Sequence, residues 1–227
     1  MHAAMSDRFK AVVFDLDGTL VDTAPDLAAT LNHVLGLVGR PAVALEEIRA
    51  MVGDGVAKLI ERGLAASGPP VDAETFERLR AEYVAHYGAH IADASRPFPR
   101  LREILAELRG AGRALGVCTN KPLALTEKLL AALDLRRVFG AVVGGDSLPE
   151  RKPDPAPLRL VLRRLGVEPA KAVMIGDSNN DLLTARAAGI PCVLVTFGYT
   201  VRPAEELGAD ALISDFGDLP RALARLS

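Results

Sequence analysis

The sequence predicts an α/β fold, a Rossmann-like parallel-sheet core carrying an inserted helical cap domain. Three observations lead there. Short apolar, β-rich runs recur at Ala11 to Phe14, Leu115 to Cys118, Ala141 to Val143, Ala172 to Ile175, Cys192 to Val195 and Ala211 to Ile213. They are continuous rather than alternating, as strands buried on both faces are. Helix-length segments separate these runs from Leu101 onward, and the stretch between the first two runs shows helical periodicity with no strand-like segment.

The elements follow in order. The first run, at Ala11, leads into the polar string Asp15, Leu16, Asp17, Gly18, Thr19. Residues 23–96 then carry three amphipathic faces: Leu27, Leu31, Val34 and Leu35; Val56, Leu59, Ile60 and Leu64; Phe76, Leu79 and Tyr83. A crossover helix needs far fewer residues, so this stretch is expected to be an inserted domain, with residues 1–22 and 97–227 forming the core. The hinges are expected at Asp22 to Pro25 and Arg96 to Pro99, where prolines interrupt helix. Helices are predicted over Arg102 to Ala111, Leu123 to Leu133, Ala156 to Leu165 and Ser178 to Ala188. Pro122 falls near a first turn, and Gly166 and Gly189 fall just past likely ends.

Composition bounds what such a chain does. Its 227 residues are 49% hydrophobic and 25% charged, enough to bury a core and too apolar for disorder. Lys plus Arg number 27 against 29 Asp plus Glu, a net charge of −2, so nothing in the global field attracts nucleic acid or an anionic membrane. Aromatics are 4% and Trp is absent, which argues against stacking platforms for single strands. No apolar stretch reaches the roughly 18 residues of a membrane span, and Met1 to Lys10 lacks signal-peptide order. A soluble, cytoplasmic protein, monomer or homodimer, is expected. Cys118 and Cys192 lie inside apolar runs and read as buried reduced thiols.

In a parallel sheet the ligand site lies beyond the carboxyl ends of the strands. There the chain places Asp15 and Asp17, then Thr119, Asn120 and Lys121, then Asp146, then Gly176, Asp177 and Ser178; Lys152 precedes the helix leading into the fourth run. Asp15 and Asp17, two apart, share a face in extended chain, and close carboxylates need a counter-charge. Asp15, Asp17 and Asp177 offer oxygen ligands only, which fits Mg²⁺ better than Ca²⁺ or zinc. The alternative is that Asp17 and Gly18 form a hairpin turn. Thr119 and Asn120 suit phosphate oxygens at a helix start, or else an ordinary N-cap. Ser178 and Asp181 resemble a capping pair, with Asp181 behind the ligands. Gly53, Asp54 and Gly55 form a turn into the helix at Val56 whose amides suit a substrate carboxylate, or else a plain interhelical turn. Arg49 and Lys58 are nearby cations, each equally explained by a solvated helix face.

Together these residues resemble the haloacid dehalogenase superfamily of phosphohydrolases over nearly the whole chain. Asp15, Leu16, Asp17, Gly18, Thr19 and Leu20 resemble its first motif, Thr119 the second, Lys152 the third, and Gly176 to Asp181 the fourth. The insert resembles its first class of cap. The resemblance implies a Mg²⁺-dependent phosphatase acting on a small phosphorylated metabolite. In it Asp15 is the nucleophile that forms an aspartyl phosphate. Asp17 is the acid and base, and binds the metal through its backbone carbonyl. Thr119, Asn120 and Lys152 hold the phosphoryl oxygens. Sugar phosphates, muramic acid phosphate and pyrophosphate are alternative substrates. A sugar-phosphate mutase of the superfamily would carry a cap His where this chain has Leu27. A phosphonate hydrolase would use a cap lysine such as Lys58, and it and a dehalogenase would lack an acid at Asp17. A phosphoacceptor signalling domain, the non-enzymatic alternative, needs no cap.

Overall fold

A computed structural model describes residues 8–226; residue 227 and residues 1–7, including most of the segment read for signal-peptide order, lie outside the described residues. The core is a six-stranded sheet made of β1 (Ala11–Phe14), β4 (Ala114–Cys118), β5 (Ala141–Val143), β6 (Ala172–Gly176), β7 (Cys192–Val195) and β8 (Ala211–Ile213). The strand order is β5-β4-β1-β6-β7-β8, and every pairing is parallel. The chain therefore moves outward from β1 through β4 to β5, then returns to the other side of β1 at β6. That reversal puts the topological switch point, where α/β sheets bind ligands, at the carboxyl end of β1.

Alternation along β1 sorts its side chains into two layers. Ala11 and Val13 join a cluster with Leu158, Val161 and Leu162 of α7 (Ala156–Leu165) and Leu182 and Ala185 of α8 (Asn179–Ala188). Val12 and Phe14 face the other way, toward Ile104, Leu105 and Leu108 of α5 (Leu101–Gly110), Leu129 and Leu130 of α6 (Leu123–Ala132), and Leu219 and Leu223 of α10 (Leu219–Arg225). Both faces of the strand are thus buried, which is why the six runs lack polar alternation. Gly166 and Gly189 end α7 and α8 in the left-handed conformation, at φ of 67° and 72°. The short α9 (Ala204–Leu207) precedes β8.

Between β1 and β4 the chain builds α1 (Ala24–Gly36), α2 (Leu45–Arg49), α3 (Val56–Ser67) and α4 (Ala73–Ala89). Leu27, Leu31, Leu59, Ile60, Leu79 and Tyr83 bury their predicted faces against one another. The two connections are paired with each other. Val21–Asp22 (β2) and Arg96–Pro97 (β3) form a two-stranded antiparallel ribbon, with Val21 opposite Pro97 and Asp22 opposite Arg96. Where the prolines suggested hinges alone, the structure has a ribbon. Among the described residues no helix is long and apolar enough to cross a membrane. Cys118 and Cys192 are buried thiols, and burial pushes Cys118 up to about 12.

Candidate active site

The carboxyl end of β1 delivers Asp15 to the switch point, and β6 delivers Asp177 beside it. Asp15, Asp177 and Asp181 each offer a carboxylate oxygen within 4.8 Å of the others, and all three are buried. Lys152 enters the cluster, with Nζ 2.8 Å from Asp15 Oδ1 and 2.7 Å from Asp181 Oδ1. Three carboxylates against one ammonium leave this pocket of low dielectric short of positive charge. Burial drives the Asp15 carboxyl up to about 6 against the pull of Lys152, with Asp181 adding to the rise. Asp177 is raised as well, by burial first and then by Asp181 and Asp15. Lys152 is held above its ordinary value because Asp15 and Asp181 outweigh its desolvation.

Asp181 plays a different part from its neighbours. Its Oδ2 accepts from the backbone N–H of Asp177 and Ser178 at 3.2 and 3.0 Å and from Ser178 Oγ at 2.7 Å, completing a capping box at the start of α8. With Oδ1 bound to Lys152, that carboxylate is saturated by protein donors. Asp177 is less fully engaged, accepting from Thr19 Oγ1 at 3.1 Å and from the Tyr199 N–H at 2.7 Å. Gly18, at φ +79°, makes room for it, since a Cβ there would stand 2.4 Å from Asp177 Oδ2. The chain does turn at Asp17 and Gly18, with Leu20 and Val21 both donating to the Leu16 carbonyl, but it makes no hairpin: β1 pairs with β4 and β6, and Val21 pairs with Pro97.

The Asp17 carboxylate does not join that cluster. It lies across the site, where Lys121 Nζ donates to its two oxygens at 3.0 and 3.3 Å and Thr23 Oγ1 donates to Oδ1 at 2.8 Å. Lys121 is 5% exposed, with its ammonium 4.3 Å from the centre of the Tyr87 ring. Sequence reasoning left Lys121 unassigned, although it directly follows Thr119 and Asn120. Asp146, placed on the acidic edge by sequence, instead accepts from the Leu123 N–H at 2.7 Å and caps α6. Thr119 is not that cap, since α6 begins after Pro122.

The insert closes over this edge. Asp15, Asp17, Thr119, Asn120 and Lys121 share a cavity of about 40 Å³ with Leu27, Val52, Gly53, Gly55, Val56, Leu59 and Tyr83. The Asn120 side chain ties insert to core: its Nδ2 donates to the Gly53 and Lys152 carbonyls at 3.0 Å each, and its Oδ1 accepts from Lys152 N–H at 3.0 Å. Asp54 is turned away from the cavity, accepting from Asn180 Nδ2 at 2.7 Å and from Arg62. Gly55, at φ +87°, lies against the Asn120 carbonyl, which a Cβ would meet at 3.3 Å. Arg49 forms a two-pronged pair with Asp22 at 3.1 and 3.0 Å, while Lys58 pairs with Glu61 on its own helix. Tyr199 closes the circuit, since its hydroxyl donates to Asp22 Oδ1 at 2.5 Å and accepts from the Ala24 N–H at 2.9 Å.

A parallel α/β sheet that gathers acids and a buried lysine at its switch point, beneath a helical insert, has the make-up of an enzyme site for a phosphorylated ligand. Residues 12–195 match the family model described as haloacid dehalogenase-like hydrolase, and the chain belongs to that family. A phosphoglycolate phosphatase from Caulobacter vibrioides is 48% identical over 215 residues, covering 95% of this chain and 91% of the relative. The crystal structure of a predicted phosphoglycolate phosphatase from Haemophilus somnus superposes with a TM-score of 0.90 at 32% identity, covering 94% of this chain and 97% of that one. CbbY from Rhodobacter sphaeroides, crystallised with phosphate, superposes with a TM-score of 0.79 at 30% identity, over 93% of this chain and 96% of its own. The enzyme is a phosphatase of the phosphoric monoester hydrolase class.

Proposed function

We propose that this phosphatase hydrolyses 2-phosphoglycolate to glycolate and phosphate through an aspartyl phosphate on Asp15. The observation that carries the reading is the small cavity, about 40 Å³, lined by both the Asp15 carboxylate and the Lys121–Asp17 pair. That is room for roughly three waters, the scale of a two-carbon acid and far below a hexose. The phosphoglycolate phosphatase from Caulobacter supports the same substrate.

In the first half-reaction an Asp15 oxygen attacks phosphorus, and the bond from phosphorus to the glycolate oxygen breaks. Asp17 protonates the departing alkoxide. In the second, Asp17 takes a proton from water, whose oxygen attacks the phosphorus of the acyl phosphate and returns Asp15 as a carboxylate. Lys152 lies 2.8 Å from Asp15 and offers charge to the phosphoryl oxygens in flight. Thr119 lines the same cavity and offers a hydroxyl. The Asn120 side chain holds the Lys152 backbone and Gly53, so it fixes that wall rather than touching phosphate.

The donor set fits Mg²⁺. Asp15 and Asp177 are hard oxygen ligands in a buried site that burial has made reluctant to ionise, and the single ammonium nearby does not balance three acids. Asp15 and Asp177 would hold the ion, with the Asp17 backbone carbonyl as the family resemblance implies, while saturated Asp181 orients Lys152 and the Asp177 loop. When bound, the ion supplies positive charge between the nucleophile and the phosphoryl oxygens. The test is phosphate release from a panel of 2-phosphoglycolate, sugar phosphates, nucleotides and pyrophosphate, with Mg²⁺ and after chelation. Expected are the highest kcat/KM for 2-phosphoglycolate and no turnover without metal. A sugar phosphate that wins by a wide margin overturns the substrate, and full activity in chelator overturns the ion.

A further inference from the structure

The mechanism leaves the Tyr83 hydroxyl unused. Tyr83 of α4 is fully buried and lines the cavity, and its hydroxyl has no hydrogen-bond partner among the described residues. A buried hydroxyl without a partner is a net cost to folding, which an acceptor on a ligand would offset. Burial holds Tyr83 well above the ordinary phenol range, so the hydroxyl keeps its proton and is a donor.

We infer that Tyr83 and Lys121 form a leaving-group subsite that takes a carboxylate, an assignment resting on the reading of Asp15 as nucleophile and Asp17 as acid. Lys121 lines the same cavity, and among the described residues Asp17 is its ion-pair partner. Among those residues Lys121 is the one cation lining the cavity, its ammonium buried against the Tyr87 ring, and the Tyr83 hydroxyl is the lining donor without a partner. A carboxylate on the leaving group would take a charge-assisted contact from the first and a hydrogen bond from the second. The other walls, Leu27, Val52, Val56 and Leu59, are aliphatic and offer the hydroxyls of a sugar no side-chain partner. The substrate class is therefore a phosphate monoester whose alcohol bears a carboxylate one carbon from the ester oxygen.

The test compares 2-phosphoglycolate with ethyl phosphate, which has a methyl in place of the carboxylate, in the wild type, Tyr83→Phe and Lys121→Met. The wild type should prefer 2-phosphoglycolate. Tyr83→Phe should lower the ratio of kcat/KM values by a factor of about 10 to 100, the loss of one hydrogen bond to a charged group. Its ligand-free Tm should stay level or rise, because the hydroxyl removed has no protein partner. Lys121→Met should lower the ratio further, whatever its effect on the rate common to both substrates. Equal losses on the two substrates, or a Tm that falls in Tyr83→Phe, overturn the assignment. A wild type without preference between them overturns the 2-phosphoglycolate reading itself. A wild-type preference that both variants keep overturns this subsite alone.

Discussion

Two buried ammonium groups flank the site, and they stand in opposite electrostatic company. Lys152 sits among three carboxylates contributed by the ends of β1 and β6 and the first turn of α8, a region with too many acids for its one cation. Lys121 faces one carboxylate, Asp17, and is otherwise hemmed in by the Tyr87 ring beneath the insert. The first region lacks positive charge and suits a divalent cation. The second pairs its ammonium with a single acid and adds the unpartnered Tyr83 hydroxyl, donors that suit an anionic oxygen. On the proposed reading this asymmetry assigns the metal to the phosphate of the ester and the ammonium to its carboxylate tail.

The sharpest way to break the comparison is at the nucleophile. Asp15→Asn should abolish phosphate release while the far-ultraviolet dichroism stays native, because the amide keeps the shape and loses the attacking oxygen. Normal turnover in that variant would end the covalent reading. Next in size, Lys152→Met should destabilise by about 3–5 kcal/mol in urea titrations, since it leaves neighbouring acids uncompensated in a buried place. Mg²⁺ should then raise the variant's Tm by more than it raises that of the wild type. Lys121→Met should cost less, about 1–3 kcal/mol, because one carboxylate that keeps its Thr23 bond is left behind. There Mg²⁺ should give no extra rescue; if it did, the two lysines would not differ as described.

The smallest effect lies at the insert's margin, where Arg49 and Asp22 pair. Burial alone would raise the Asp22 carboxyl, but its hydrogen bonds from Arg49 and Tyr199 outweigh that and hold it below the ordinary carboxylate value. A lowered carboxyl stabilises the fold above its unfolded pKa, and that stability is lost as pH falls through the folded value. Arg49→Ala should therefore lower stability by less than about 1 kcal/mol at neutral pH, and the gap from wild type should close below about pH 4. A gap that persists in acid would assign the Arg49 contribution to packing over the Tyr199 ring.

The parallel sheet was legible because each strand is an apolar run ending in residues that cannot continue it, so edges and helices could be read from side chains alone. β2 and β3 were not, since each is two residues long, one contains Pro97, and their pairing is a backbone event with no alternation to see. The five-residue α2 was missed for the same reason of length. Asp15, Asp177 and Lys152 could be placed because each follows or precedes an element whose position was clear. Tyr83 reads in sequence as one more apolar residue on a helix face, and Lys121 carries no role beyond its place after the second strand. Only the contact of insert with core shows that both are buried on one cavity. Asp146 shows the converse, an acid at a strand end that serves a helix start.

Tyr199 gives the architecture a consequence for modularity. Its main chain holds Asp177, while its hydroxyl grips Asp22 and the first residue of α1, so part of the insert's mooring is written about a hundred residues after the insert ends. A chimera that exchanges residues 23–96 with those of a relative keeps the ribbon residue Asp22 and Tyr199, and loses the arginine that stacks on the ring unless the donor segment supplies one. In this chain the insert and the loop after β7 that receives it are therefore structurally linked, and an exchange of one calls for the matching partner in the other.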